Sequence, residues 1–528
     1  MTYLWVLNYY TMTLYDYQTE AVNVTDVHDK GILVLPTGTG KTMIQSAIIE
    51  RDITLFPNQF RMYVVNAPRI ILTYQLLREI YGFMVSRGIE CRYHFTHSGT
   101  PVDERDLEDM RIQSNLDGNN IPFSEIDSST SSTRLTDTID KCITTNVPLI
   151  VFSTYNSAER IEEARLHTNT NVSIILNDEA HYLVQERFNP ILDRLPSDRT
   201  YFFTATTRHT SSDEGRGMNN VNSYGDVIYR LLPREAIERG KMVRPRIHTI
   251  KTEGVRTSED YDNSFNLVIF NSYKQHKEHL NNNHKDISPK ILVSTRGAND
   301  IKNFLLSNQY RELRESGVDV FAISSNQEVG NDVNGEKVKR QEFLKRLRDY
   351  GKDVNREMLI LHFDILTEGI DVPGITTIMP LRELNKSRFV QTFGRCARVD
   401  VRDRIRIDSG EITANDLDSM VKPYSYVILP YLTQTNKDDS DSMKNIIREL
   451  RQFTYDPKEL VINEFDARGI SEEEDLDTFN ELNRRNGSTG SIINEVFSEF
   501  EKEEIAKLTD FEYMDRHRED EVVDLRNI

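Results

Sequence analysis

Short apolar runs rich in β-branched residues recur along the first half of the chain. They are Gly31-Ile32-Leu33-Val34-Leu35, Arg61-Met62-Tyr63-Val64-Val65, Leu149-Ile150-Val151-Phe152, Ser173-Ile174-Ile175-Leu176 and Tyr201-Phe202-Phe203. Continuous apolar runs, as opposed to alternating ones, predict strands buried on both faces, as in a parallel sheet. Helix-length stretches separate them, so the pattern reads as a doubly wound α/β lobe. It restarts at Ile291-Leu292-Val293, Val318–Ile323, Met358-Leu359-Ile360-Leu361 and Thr376–Met379, and a last run is Tyr426-Val427-Ile428-Leu429. Two tandem lobes follow, 1–245 and 246–437, joined in the polar stretch Lys241–Asn263 that holds Pro245. Residues 98–133 are rich in Ser, Asp, Asn and Gly without periodicity, which predicts a surface insertion in the first lobe. Beyond Asp438 helical spacing returns at Met443, Ile446, Ile447 and Leu450, then at Leu476, Phe479 and Leu482, then at Ile492, Val496 and Phe500. Residues 438–528 thus read as a small helical C-terminal extension.

A length of 528 residues fits about three such units. The formal net charge is −19, and from Val461 on about twenty acidic residues face about eight basic ones. That balance marks a solvated extension open to a protein partner and requires any contact with phosphates to be local. Cys91, Cys142 and Cys396 show no CxxC spacing, so neither a zinc site nor an iron–sulfur cluster is indicated. No run reaches the roughly eighteen apolar residues of a membrane span, and the N-terminus lacks the basic region of a leader. The expectation is a cytoplasmic protein with no membrane association.

The first strand runs into Pro36-Thr37-Gly38-Thr39-Gly40-Lys41-Thr42, and a helical run follows. Gly38 and Gly40 let the backbone curl so that successive N–H groups face a phosphate. Lys41 can neutralise β- and γ-phosphate charge, and the Thr42 hydroxyl can ligate Mg²⁺. Leu35 stands where the full GxxxxGK[ST] pattern has its first glycine. Asp178-Glu179-Ala180-His181 follows the strand Ser173–Leu176. A carboxylate at that strand end is placed to hold the metal, which is the role expected of Asp178, while Glu179 orients and deprotonates the attacking water.

With these motifs the chain resembles superfamily 2 helicases and translocases of the DEAH-box type, up to about residue 435. The resemblance implies two tandem RecA-like doubly wound parallel-sheet lobes and hydrolysis of ATP with Mg²⁺, driven by nucleic acid. Within Leu14-Tyr15-Asp16-Tyr17-Gln18 it makes Gln18 the reader of adenine. Thr37, Gly38, Thr39, Gly40, Lys41 and Thr42 cradle the nucleotide. It assigns strand binding to Pro68 and Arg69 in Asn66-Ala67-Pro68-Arg69, and to Ser153 and Thr154 in Phe152-Ser153-Thr154-Tyr155. His181 and the Thr204-Ala205-Thr206 motif couple the two sites through Thr204 and Thr206. In the second lobe Thr295 and Arg296, of Val293-Ser294-Thr295-Arg296, and Thr367 meet the nucleic acid. Gly369 and Asp371, in Thr367-Glu368-Gly369-Ile370-Asp371-Val372-Pro373, meet the nucleotide. Gln391-Thr392-Phe393-Gly394-Arg395-Cys396-Ala397-Arg398 matches the QxxGRxxR motif, with Gln391, Arg395 and Arg398 in catalytic roles. Arg395 and Arg398, three apart on a helix, share a face, from which they can stabilise transition-state charge on the γ-phosphate.

Gln391 at the head of that motif, with Glu368–Pro373, looks like the DNA-acting branch. That branch holds restriction-type motor subunits and phage and bacterial helicases. Restriction motors carry a nuclease domain before the motor, and here the adenine-reading segment lies within the first twenty residues. The sequence therefore predicts a DNA helicase or translocase. An ATP-gated clamp subunit of a defence or packaging complex and an RNA helicase remain as alternatives.

Overall fold

The structure is a computed structural model. It describes residues 13–97, 126–210, 215–252, 258–363, 372–432, 446–454 and 461–466, apart from isolated positions at 285, 325, 327, 383 and 385. The chain divides into two compact units, the first ending at Leu231 and the second starting at Leu232.

The first unit is built on eight strands: β1 (Lys30–Val34), β2 (Met62–Ala67), β3 (Arg92–Thr96), β4 (Ile126–Ser129), β5 (Leu149–Thr154), β6 (Val172–Asn177), β7 (Ser197–Thr204) and β8 (Asp226–Arg230). Their spatial order is β4-β3-β5-β2-β6-β7-β1-β8, and every neighbouring pair is parallel. The five runs read from the sequence are five of these strands, and β2, β5 and β6 are buried along their whole length. Helices α1 (Asp16–Asn23), α2 (Lys41–Leu55), α3 (Ile70–Ser86) and α4 (Ser132–Thr145) connect and cover them. The expected insertion over 98–133 is shorter than predicted, because β4 and the start of α4 fall inside it; residues 98–125 lie outside the described residues. The reason β4 is illegible in the sequence is chemical. It is an edge strand, and its Ser129 hydroxyl meets the buried His94 ring at 3.2 Å, opposite Thr138 at 3.2 Å. A polar side chain here serves the interior.

The second unit carries nine strands: β9 (Arg244–Thr252), β10 (Lys290–Ser294), β11 (Asp319–Ile323), β12 (Asn331–Val333), β13 (Glu336–Lys337), β14 (Met358–His362), β15 (Thr377–Pro380), β16 (Tyr424–Leu432) and β17 (Val461–Asp466). They run in the order β13-β12-β11-β14-β10-β15-β16-β9-β17. All pairs are parallel except β11–β12 and β12–β13, the small hairpin at one edge. Helices α5 (Ser258–Asn283), α6 (Lys386–Cys396) and α7 (Val401–Asp408) belong to this unit. Ile269, Tyr273, Ile291, Val293, Phe304, Val320 and Leu359 belong to one of its hydrophobic cores.

Two features depart from the sequence reading. The division falls before the expected 245/246 because the segment after Leu231 is tied to the second unit. Lys241 Nζ lies 3.0 Å from Asp408, Val243 N donates to Ala397 O at 2.9 Å, and Met242 pairs with Arg398 in an isolated bridge. Beyond Asp438, residues 446–450 are helical as expected, with Ile446, Ile447 and Leu450 buried. Val461–Asp466, however, is a strand added parallel to β9. The later helical repeats at 476–482 and 492–500 lie outside the described residues.

Candidate nucleotide and nucleic-acid site

The loop between β1 and α2 has the conformation that its glycines allow. Gly38 and Gly40 take φ of 87° and 78°, the left-handed region. A Cβ on Gly40 would lie 2.5 Å from Gln18 Nε2, the movable end of a side chain, so it is the left-handed backbone that favours glycine there. The Thr39 hydroxyl donates to Pro36 O at 2.7 Å and closes the loop. Thr39 O in turn accepts from Tyr17 OH at 2.7 Å and from Gln18 Nε2 at 3.2 Å. Helix α2 starts at Lys41 with its first N–H groups directed into the loop, the arrangement that favours an anion. The Thr37 hydroxyl is buried there without a protein partner. A phosphate oxygen would supply one, so the residues present fit a nucleotide.

Gln18 lies against the phosphate loop. Its amide donates to Thr39 O, and its Oε1 accepts from Tyr15 N at 3.0 Å. As it stands, Gln18 braces the cradle from α1.

The Asp178 carboxylate lies at the end of β6, where Gln45 Nε2 donates to it at 3.1 Å. Its backbone is fixed twice: Asp178 N donates to Asn66 O at 2.8 Å, and Tyr155 OH donates to Asp178 O at 2.6 Å. Burial pushes the carboxyl above the usual range, while the Lys41 ammonium and the Gln45 amide pull it back. Lys41 and Gln45 are one turn apart on α2 and so flank the same carboxylate. The sequence motifs do not single out Gln45 or Tyr155; the spacing of four from Lys41 is the available signal for Gln45.

Glu179 takes φ 49°, ψ 46°, a left-handed backbone on a non-glycine residue. That turn brings its Oε2 to 3.4 Å from His181 Nδ1. His181 is buried, and burial, with the Arg208 and Lys41 charges, holds its pKa well below the ordinary value. The ring is therefore neutral, and its contact with Glu179 is polar and not an ion pair. The tautomer follows from Thr204, whose hydroxyl donates to Thr206 O at 2.7 Å and so accepts from the ring. His181 Nδ1, 3.1 Å away, carries the proton. A relay thus runs from Glu179, whose Oε2 only approaches the ring, through the His181–Thr204 and Thr204–Thr206 hydrogen bonds. It joins the ends of β6 and β7.

The residues assigned to strand binding divide by exposure. Arg69 is exposed at the start of α3 and Pro68 is buried beside it. Ser153 and Thr154 are buried, and their hydroxyls meet Thr154 O at 3.0 Å and Ser157 Oγ at 2.9 Å. Thr295 is likewise buried, donating to His362 O at 3.1 Å. Arg296 is half-buried, with Nε 3.2 Å from Asp300 and its guanidinium over the Phe265 ring. Thr367, Gly369 and Asp371 lie outside the described residues.

Gln391 and Arg395 are half-buried on α6, and Gln391 Oε1 is buried without a protein partner. Arg398 does not share their helix, contrary to the sequence reading. Helix α6 ends at Cys396, because Ala397 and Arg398 turn away to pair with Val243 and Met242.

Residues 11–209 match the family described as Type III restriction enzyme, res subunit. No curated protein matches the sequence. Among solved structures, the chain is similar to the ATP-dependent Type ISP restriction-modification enzyme LlaBIII bound to DNA, at TM-score 0.62 and 17% identity, covering 90% of this chain and 33% of that one. It is also similar to a nuclease-deletion mutant of the Type ISP enzyme LlaGI in complex with a DNA substrate mimic, at TM-score 0.54 and 18% identity, covering 96% of this chain and 34% of that one. The chain spans about a third of the length of each. The family match thus covers residues 11–209, and over most of the chain the α/β fold is like that of these two enzymes.

Proposed function

We propose that this chain is an ATP-driven motor that moves along or remodels DNA. The observation that carries the reading is the relay Glu179–His181–Thr204–Thr206. It ties the carboxylate proposed to activate water to a second strand end, where a response to bound nucleic acid would be sensed. Lys41 would meet the β- and γ-phosphates, and Thr42 with Asp178 would hold Mg²⁺. When bound, the metal supplies charge neutralisation along the phosphates. Asp178 would be ionised in that role, because a divalent cation beside it lowers its raised pKa. Glu179 would orient the attacking water and take its proton. Arg395 and Arg398 of the second unit would stabilise charge in the transition state.

DNA is favoured over RNA by the match to a restriction-enzyme family and by the DNA or DNA mimic bound in the LlaBIII and LlaGI structures. ATP turnover measured against single-stranded DNA, forked DNA and single-stranded RNA tests this. Stimulation by DNA and strand displacement or sliding on it support the motor. Stimulation by RNA alone overturns the substrate. DNA held in the presence of ATP without movement would make the chain a gated clamp.

A further inference from the structure

Lys422 is buried, 6% exposed, in front of β16. Its ammonium has three donors, and three backbone carbonyls take them: Cys396 O at 2.6 Å, Ile375 O at 3.0 Å and Arg398 O at 3.0 Å. Cys396 is the last residue of α6, where carbonyls are left without helical partners and the helix dipole is negative. A glycine in the left-handed conformation commonly closes such an end. Here the chain continues through Ala397 and Arg398 with no glycine, and a point charge closes it instead.

The lysine is itself anchored. The buried Asp403 carboxylate, on α7, accepts Val421 N and Lys422 N, each at 2.7 Å. Burial lowers the Lys422 pKa from its usual value, opposed by Asp400 and Asp403 and aided by Arg398. An ammonium is costly to bury, and packing alone would be served as well by an apolar side chain of similar volume. What an apolar side chain cannot do is hold three carbonyls at one point. Two of them lie within the segment Arg395–Arg398, and the third, Ile375, lies just beyond Pro373 at the exit of the Thr367–Pro373 motif.

We propose that Lys422 is a positioning residue for Arg398, fixing the backbone from which its guanidinium group projects and tying it to the chain leaving the Thr367–Pro373 motif. This rests on the reading that Arg398 serves hydrolysis. Lys422 acts on turnover through it and takes no part in binding ATP.

The test is steady-state ATP hydrolysis, read as phosphate release with saturating single-stranded DNA, for the full chain and the variants Lys422→Met, Arg398→Ala and the two combined. Thermal melting confirms that each is folded. Arg398→Ala is expected to lower kcat by ~10³-fold or more. Lys422→Met should lower kcat by at least roughly tenfold with KM within about threefold, a split that general loosening of the fold does not produce. In the Arg398→Ala background the same substitution should change kcat by less than about twofold, because its effect is already spent. Wild-type kcat in Lys422→Met, or effects that multiply in the double variant, would overturn the inference. Wild-type kcat in Arg398→Ala would instead overturn the reading of Arg398. Should Lys422→Met fail to fold, Asp403→Asn weakens the anchor while keeping its shape. It must show the same kcat-only loss, absorbed in the Arg398→Ala background, and additivity there rejects the proposal equally.

Discussion

A left-handed backbone on a residue with a Cβ costs on the order of 1–2 kcal/mol, and Glu179 adopts one between two well-packed elements. Strain of this kind persists where surrounding structure enforces it, and here it brings the carboxylate to His181. Glu179→Gln keeps size and loses the base. Hydrolysis should fall by roughly 10²–10⁴-fold while a fluorescent ATP analogue binds with unchanged affinity; loss of binding would show that Glu179 serves the ground state. The relay makes a separate demand on Thr204. Thr204→Val keeps the shape but leaves the neutral His181 Nδ1–H and Thr206 O without their shared hydroxyl, a loss of about 1–3 kcal/mol for buried groups. Basal ATP turnover should survive in this variant while its stimulation by DNA drops. Equal loss of both would mean that the threonine supports the fold and not the coupling.

The strands divide by how they are buried, and that decides which of them can be read in advance. β1, β2, β5, β6 and β10 have apolar side chains on both faces, so their runs are plain in the sequence. β9 reads as part of a polar junction because its buried His248 and Thr249 are polar residues that serve the interior. The cradle, the acidic turn and the arginine segment are legible because glycines, carboxylates and arginines sit at fixed spacings. The end of α6 is not, since Lys422 closes it from far along the chain. β9 also brings a pH dependence. His248 packs edge-on against His276 and His279, with ring centroids 5.3 and 4.7 Å away, and all three lie against Tyr426. His284 approaches His279 and Tyr424 at the margin. Burial lowers His248 to about 3, aided by the charge of His279, and holds His276 well below the ordinary range. Both bind a proton near pH 6.5 when unfolded and refuse it when folded. Their stabilisation is therefore complete above about pH 6.5 and is lost as pH falls toward the folded values. Each buried ring should take about 1.4 kcal/mol per pH unit in that window. Urea unfolding at pH 7 and at pH 5 should show the loss, and His248→Phe should make it smaller; an unchanged difference would remove His248 from the account.

At the scale of the whole chain the largest unexplained quantity is charge. A formal net charge of −19 opposes a phosphate polymer at long range, and the acidic excess is concentrated beyond Val461. The sequence alone suggests cutting after Asp438, but the fold argues against that point. Such a cut removes the buried Ile446, Ile447, Leu450 and Phe453 and strips β17 from β9, leaving an open sheet edge. A chain shortened there should be unstable for reasons unrelated to charge. Ending the chain at Asp466 keeps those contacts. It also removes about eighteen acidic and about eight basic residues, which roughly halves the net charge. If residues 467–528 act by repulsion, this shorter chain should melt as the full chain does and keep basal ATP turnover. It should bind random-sequence DNA more tightly at low salt. The gain should shrink as salt is raised, because screening removes a long-range repulsion before it removes close phosphate contacts. Affinity measured by fluorescence anisotropy between 50 and 200 mM salt, about the range over which such contacts weaken, decides it. Weaker binding by the shortened, folded chain would make the segment part of the nucleic-acid grip, and the repulsion argument would fail.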